Sequence, residues 1–149
     1  MFEKLAKAMA GRKIKVVMAG SEAMTNGKTI TLPAISDEFI GRDEVLNRVL
    51  HGYTDHEVGH CKYSDFKAFF GLSSATFKLV NTLEDIRIER KMIAEYPGAR
   101  QNIQLIAFMD INLTRQTLCI GYLLRARKPT KSKLLIVIKQ KLKICLVKT

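Results

Sequence analysis

Residues 43–61 carry a stripe that constrains this chain more than any other feature. Val45, Val49, Tyr53, His56 and His60 recur at spacings of four, four, three and four, so on a helix they fall on one face. Asp43 stands where an N-cap belongs, and Glu44 follows in the first turn, where the helix dipole favours a negative charge. The spacing therefore predicts a helix from Asp43 to about Cys61 or beyond. A face built on Val45 and Val49 turns inward, which puts both histidines against protein rather than on a solvated surface.

Residues 56–60 read His56-Glu57-Val58-Gly59-His60. Residues four apart on a helix are neighbours, so both imidazoles can reach one metal ion. Zinc accepts imidazole nitrogens in tetrahedral geometry. Glu57 lies roughly 100° round the helix, where a carboxylate can take a proton from water activated by the metal. The pattern is a metallopeptidase signature, which makes His56 and His60 expected zinc ligands and Glu57 the expected general base. A catalytic zinc site takes a third protein ligand and keeps one position open. His51, the one remaining histidine, falls on the opposite face of the helix, and Cys61 points away from His60. The third ligand is therefore sought among the carboxylates of Asn81-Thr82-Leu83-Glu84-Asp85-Ile86-Arg87-Ile88-Glu89. Glu84 shares a stripe with Val80 and Ile88, and a carboxylate there is costly unless paired or metal-bound. Glu84 is the expected ligand, with Asp85 or Glu89, on the more polar face of Asn81, as the alternatives. The competing reading is ordinary pairing of these carboxylates with Arg87, Arg90 or Lys91. Tyr63, Tyr96 and Arg87 are candidate donors to a transition-state oxyanion.

The remainder of the chain predicts an α+β fold. Phe2–Met9 reads as a short amphipathic helix stopped by Gly11, and Ile14–Met18 as a strand. Asn26-Gly27 between extended runs predicts a hairpin with a type I′ turn, and Pro33 ends its second strand or marks it as an edge. The expected sheet is small, mostly antiparallel and about three-stranded, with Lys28–Leu32 as an edge that could pair with an extended substrate. A helix from about Ala75 to Glu95 should bury Leu79, Leu83, Ile86 and Ile93, and Tyr96-Pro97-Gly98 should end it. Residues 100 to about 113 read as a further helix, and Leu134–Ile138 as a strand.

The formal net charge of +11 invites a nucleic-acid partner, but its distribution argues against one. Of 25 Lys and Arg, ten follow Asp110, the last acidic residue. That leaves 15 basic against 14 acidic residues over 1–110. The expected division is a nearly neutral module over residues 1–114 and a basic tail over 115–149. The tail's one aromatic is Tyr122, too few for a base-stacking platform. No apolar run approaches the roughly 20 residues that a bilayer needs. Cys61, Cys119 and Cys145 are odd in number and lack a Cys-x-x-Cys pair, so they read as reduced thiols in the cytoplasm.

A zinc helix with a glutamate donated by the next helix resembles the gluzincin metallopeptidases. The chain departs from their Glu-x-x-x-Asp pattern, because Ile88 stands four residues after Glu84. Asp85 is then the candidate to orient the first histidine. A closer resemblance is carried by Gly52-Tyr53-Thr54-Asp55-His56-Glu57-Val58-Gly59-His60, Tyr63-Ser64-Asp65-Phe66, Asn81–Glu89 and Tyr96-Pro97-Gly98. These look like the N-terminal region of cobaltochelatase T-subunit-like proteins, common in phages and prophages, over roughly residues 1–110. The resemblance implies a zincin-like module, followed in that family by a von Willebrand factor A domain. The 39 residues after Asp110 lack an Asp-x-Ser-x-Ser motif and are too few for such a domain. The expectation is therefore an isolated or truncated module that hydrolyses peptide bonds with Zn2+. The alternative is a non-catalytic adaptor that meets an ATPase or a von Willebrand A domain partner.

Overall fold

The computed structural model describes residues 1–35 and 43–109. The expected connection at 36–42, the basic tail and the strand at Leu134–Ile138 lie outside these residues, as does the end of the expected 1–114 module. Met1–Phe108 forms one compact unit, built as an α+β arrangement of helices around a three-stranded sheet.

Helix α1 spans Phe2–Ala10 and buries Phe2, Ala6 and Met9. Gly11 closes it in the left-handed conformation at φ 66°, its N–H reaching Lys7 O. Strands β1 (Lys15–Met18), β2 (Met24–Thr25) and β3 (Thr29–Leu32) follow. Their order is β1-β3-β2, with β1 parallel and β2 antiparallel to β3. The sheet is thus mixed rather than mostly antiparallel, and its longer ladder is the parallel one. Gly20, at φ 66°, turns the chain after β1, and residues 19–23 carry it past the place of β3. This corrects the expected edge: Lys28–Leu32 contains the central strand, paired on both sides, so it cannot receive a substrate strand. Pro33 follows directly and ends β3.

The hairpin turn also differs in type. Among the described residues only glycines have positive φ, so Asn26 does not take the conformation of a type I′ turn. The turn places Gly27 first, at φ 84°. The Asn26 side chain supplies the acceptor, taking N–H bonds from Lys28 and Thr29 at 3.0 and 2.9 Å. Gly27 is needed on a second count, because a Cβ there would lie 2.8 Å from the Phe66 ring.

Helix α2 spans Glu44–Tyr63 and starts at the predicted cap, with Asp43 Oδ1 accepting from Leu46 N at 3.1 Å. Leu50, Thr54, Val58 and Cys61 are buried, and the core joins α2 to Phe2, Ala6, Ile14, Ile30, Leu32, Met92 and Ile103. A short 3-10 turn at Phe66–Phe69 leads to helix α3, Ser74–Glu95, capped by Ser73 Oγ at Thr76 N. Tyr96 ends α3, and its hydroxyl donates to Met9 O at 2.8 Å, which ties the end of α3 to the end of α1. Residues 99–109 form helix α4.

The buried stripe of α3 is not the expected one. Leu79, Leu83 and Ile86 are 63%, 59% and 45% exposed, and Ile93 is half-buried. The buried residues are Ile88 and Met92. The helix turns this face to α2 because the contact is made at a glycine: a Cβ on Gly59 would stand 2.9 Å from both Ile88 Cδ1 and Met92 Cγ. One heptad earlier, Gly52 admits α4, and a Cβ there would meet Asn102 O at 2.6 Å and Ile106 Cγ2 at 2.7 Å.

Backbone cannot move aside as a side-chain tip can, so Gly52→Ala should cost about 1–3 kcal/mol in urea denaturation. Gly98→Ala, whose Cβ would meet nothing within 4 Å, should stay within about 0.5 kcal/mol of the parent.

Candidate metal centre

The close approach of α3 at Gly59 lays one polar face of α3 against the histidines of α2. His56 Nε2 and His60 Nε2 stand 3.2 Å apart. Asp85 Oδ1 lies 3.1 Å from His60 Nε2 and 3.8 Å from His56 Nε2. Among the described residues, these three form the group able to hold a metal ion. A tetrahedral ion with ligand bonds near 2.05 Å has ligand–ligand edges of about 3.3 Å, so two of the three edges already have that length and the third is about half an ångström longer. The donor set, two neutral-imidazole nitrogens and a carboxylate oxygen, suits zinc chemistry.

Each of the three groups is held from behind. His56 Nδ1 lies 3.0 Å from Glu89 Oε1, and His60 Nδ1 lies 3.0 Å from Ser64 Oγ. Asn81 Nδ2 donates to both Asp85 oxygens, at 3.3 and 3.1 Å. Such contacts fix ring and carboxylate orientation, and in metal sites they govern affinity.

The expected third ligand, Glu84, is engaged elsewhere. Arg87 Nε and Nη2 each donate to its carboxylate at 2.6 Å, and Ser64 Oγ donates at 2.6 Å. The Arg87 guanidinium, with Ser64, holds the Glu84 carboxyl down at about 2. Local pairing one turn along α3 thus satisfies the carboxylate whose apolar neighbours had marked it for metal. The structure brings together His56, His60 and Asp85, with Glu89 on the His56 ring. Ser64 and Asn81 were not singled out from sequence as supports. Asn81 had a legible signal, standing four residues before Asp85 on the same face. Ser64 had none, because its role depends on where α2 ends.

The candidate oxyanion donors are similarly committed. Tyr63 Oη donates to Glu95, Tyr96 Oη to Met9 O, and Arg87 to Glu84 and Tyr63 O. His51 packs edge-on against Phe2, away from the centre.

Glu57 is 5% exposed and stands within electrostatic reach of His56, His60 and Asp85. Burial pushes its carboxyl pKa up, against the pull of His56 and His60, and Asp85 adds to the rise. For His56, burial pulls the pKa down, but the Glu89 hydrogen bond and the charges of Glu57, Asp85 and Glu89 outweigh it, and the net shift is upward.

No family model, curated protein or solved structure matches the chain.

The raised pKa of Glu57 has a stability consequence in metal-free protein. Below its ordinary value of 4.5 the group is protonated in both folded and unfolded chains and costs nothing. As pH rises past that value the unfolded chain ionises first, so the folded state loses ground until its own raised pKa is passed. Glu57→Gln should therefore stabilise the metal-free protein at neutral pH, and the gain should fade below about pH 4, read by thermal melts across pH.

Proposed function

We propose that this chain is a zinc-dependent metallopeptidase-like module. The carrying observation is the convergence of His56 Nε2, His60 Nε2 and Asp85 Oδ1 at 3.1–3.8 Å, with the buried Glu57 beside them. In this reading His56, His60 and Asp85 hold the ion. A bound zinc would supply a Lewis acid and lower the pKa of the attacking water.

The chain's own residues account for the rest. Glu57 accepts the proton of the attacking water and passes it to the leaving amine. Its raised pKa brings it nearer the working range of such a base. Glu89, Ser64 and Asn81 keep the three ligating atoms aimed at one point. An extended peptide would pair with the edge strand β2, which packs on α2 where Thr25 Oγ1 meets Cys61 Sγ at 3.2 Å, one residue from His60. The resemblance to cobaltochelatase T-subunit-like proteins supports the same site, and the free thiol of Cys61 suits a reducing, cytoplasmic setting. Among the described residues, no helix is long and apolar enough to cross a membrane.

A second reading has its own observation. Leu79, Leu83 and Ile86 present an exposed apolar strip on α3, which favours an adaptor that docks a partner such as an ATPase or a von Willebrand A domain.

Metal analysis and a peptide-library assay separate the two. The peptidase reading expects about one zinc per chain, lost in His56→Ala and in Asp85→Ala. Glu57→Gln should keep the zinc and lose cleavage by about 10²–10⁴-fold. Zinc without any cleavage by the parent protein favours the adaptor, and metal-free protein in zinc-containing buffer at neutral pH defeats the metal centre itself.

A further inference from the structure

Ser64 follows the last residue of α2, and its hydroxyl stands between two groups that both compete for it. Its Oγ is 2.6 Å from Glu84 Oε1 and 3.0 Å from His60 Nδ1. Arg87 grips Glu84 with two donors at 2.6 Å and reaches Tyr63 O at 2.7 Å with the same Nη2. A carboxylate held ionised in this way can only accept. Ser64 has one proton, and the short bond to Glu84 uses it. Toward His60 the hydroxyl is left with lone pairs alone, so it calls for the ring's N–H on Nδ1, in competition with Asp85 Oδ1, which at 3.1 Å calls for it on Nε2. With the N–H on Nδ1, Nε2 keeps its lone pair for an ion held with His56 and Asp85.

We propose that Ser64, backed by Glu84 and Arg87, is a positioning residue that sets the tautomer of His60 and so its ability to bind a metal through Nε2. The inference rests on the reading of His56, His60 and Asp85 as a metal centre. The two histidines are held by different means. Glu89 meets the His56 ring directly, whereas His60 receives the influence of its carboxylate through a neutral hydroxyl. The relay is also anchored independently of any ion, because Ser64 N donates to His60 O at 3.0 Å and Arg87 binds the carbonyl of the last residue of α2. It gives Glu84 a task one step behind the ligands, which explains why a carboxylate so near the centre is not in it.

Nitrogen-15 NMR of the imidazole rings in metal-free protein, above the histidine titration, reads the tautomer directly. The parent should show His60 protonated at Nδ1, Ser64→Ala should lose that preference, and Ser64→Thr should restore it. Zinc affinity, measured by competition with a chromophoric chelator, should fall about 10–100-fold in Ser64→Ala and recover in Ser64→Thr. If Ser64→Ala does not fold, Ser64→Gly, which also removes the hydroxyl, should show the same loss. A parent His60 protonated at Nε2, or a Ser64→Ala protein with unchanged tautomer and affinity, overturns the proposal. A parent that takes up no zinc defeats the metal centre instead, and the tautomer measurement still tests Ser64.

Discussion

The approach of α3 to α2 at Gly59 is the contact on which the rest of the site depends. With no Cβ at residue 59, Ile88 and Met92 settle directly on the backbone of α2. That short separation lets the shorter side chains of α3 reach the histidines: Asp85 meets His60 at 3.1 Å and Glu89 meets His56 at 3.0 Å. A methyl group at residue 59 would have to displace both apolar side chains, and the helix behind them. Gly52 does the same for α4 one heptad away, so α2 is a central rod with two smooth stations, each taken by a later helix.

The same geometry concentrates charge in a place that apolar packing would avoid. Glu57, Asp85 and Glu89 all stand near His56, and both pKa values rise, from different causes: the histidine's because its acidic neighbours outweigh burial, Glu57's because of burial, with Asp85 adding to it. Nothing in the local helix preference of either segment requires this. Glu84 shows the contrast. It is paired with Arg87 and Ser64, and its carboxyl sits at about 2. The centre therefore sorts four carboxylates by environment, one paired with a guanidinium, one on a ring N–H, one held by an amide among the ligating atoms, and one buried beside both histidines.

Much of this was legible in sequence because it is local. The N-cap at Asp43, the C-cap at Gly11 and the end of α3 at Tyr96 are each decided within a turn of chain. So is the shared face of His56 and His60. The misreadings have a common origin in long-range choice. Leu79, Leu83 and Ile86 form a regular stripe, yet α3 presents the face of Asn81, Asp85 and Ile88 to α2, because Ile88 and Met92 seat against Gly59. Glu84 was marked as a ligand for its apolar neighbours, but an arginine three residues on already compensates it. Lys28–Leu32 has the composition of an edge strand, and only the crossing of residues 19–23 places it in the middle of the sheet.

The sequence by itself determined the helix that carries His56, Glu57 and His60, the spacing that turns both imidazoles to one side, and the glycines that make close contact possible. These follow from 3.6-residue periodicity and from the absence of a side chain, which no neighbour can alter. Tertiary structure decided which carboxylate joins them. Asp85 and Glu84 are adjacent, chemically alike and about 100° apart on α3. The rotation of α3 about its axis, set by Ile88 and Met92 seating against Gly59, gives Asp85 to the histidines, while Glu84 keeps its local pair with Arg87 on the same helix.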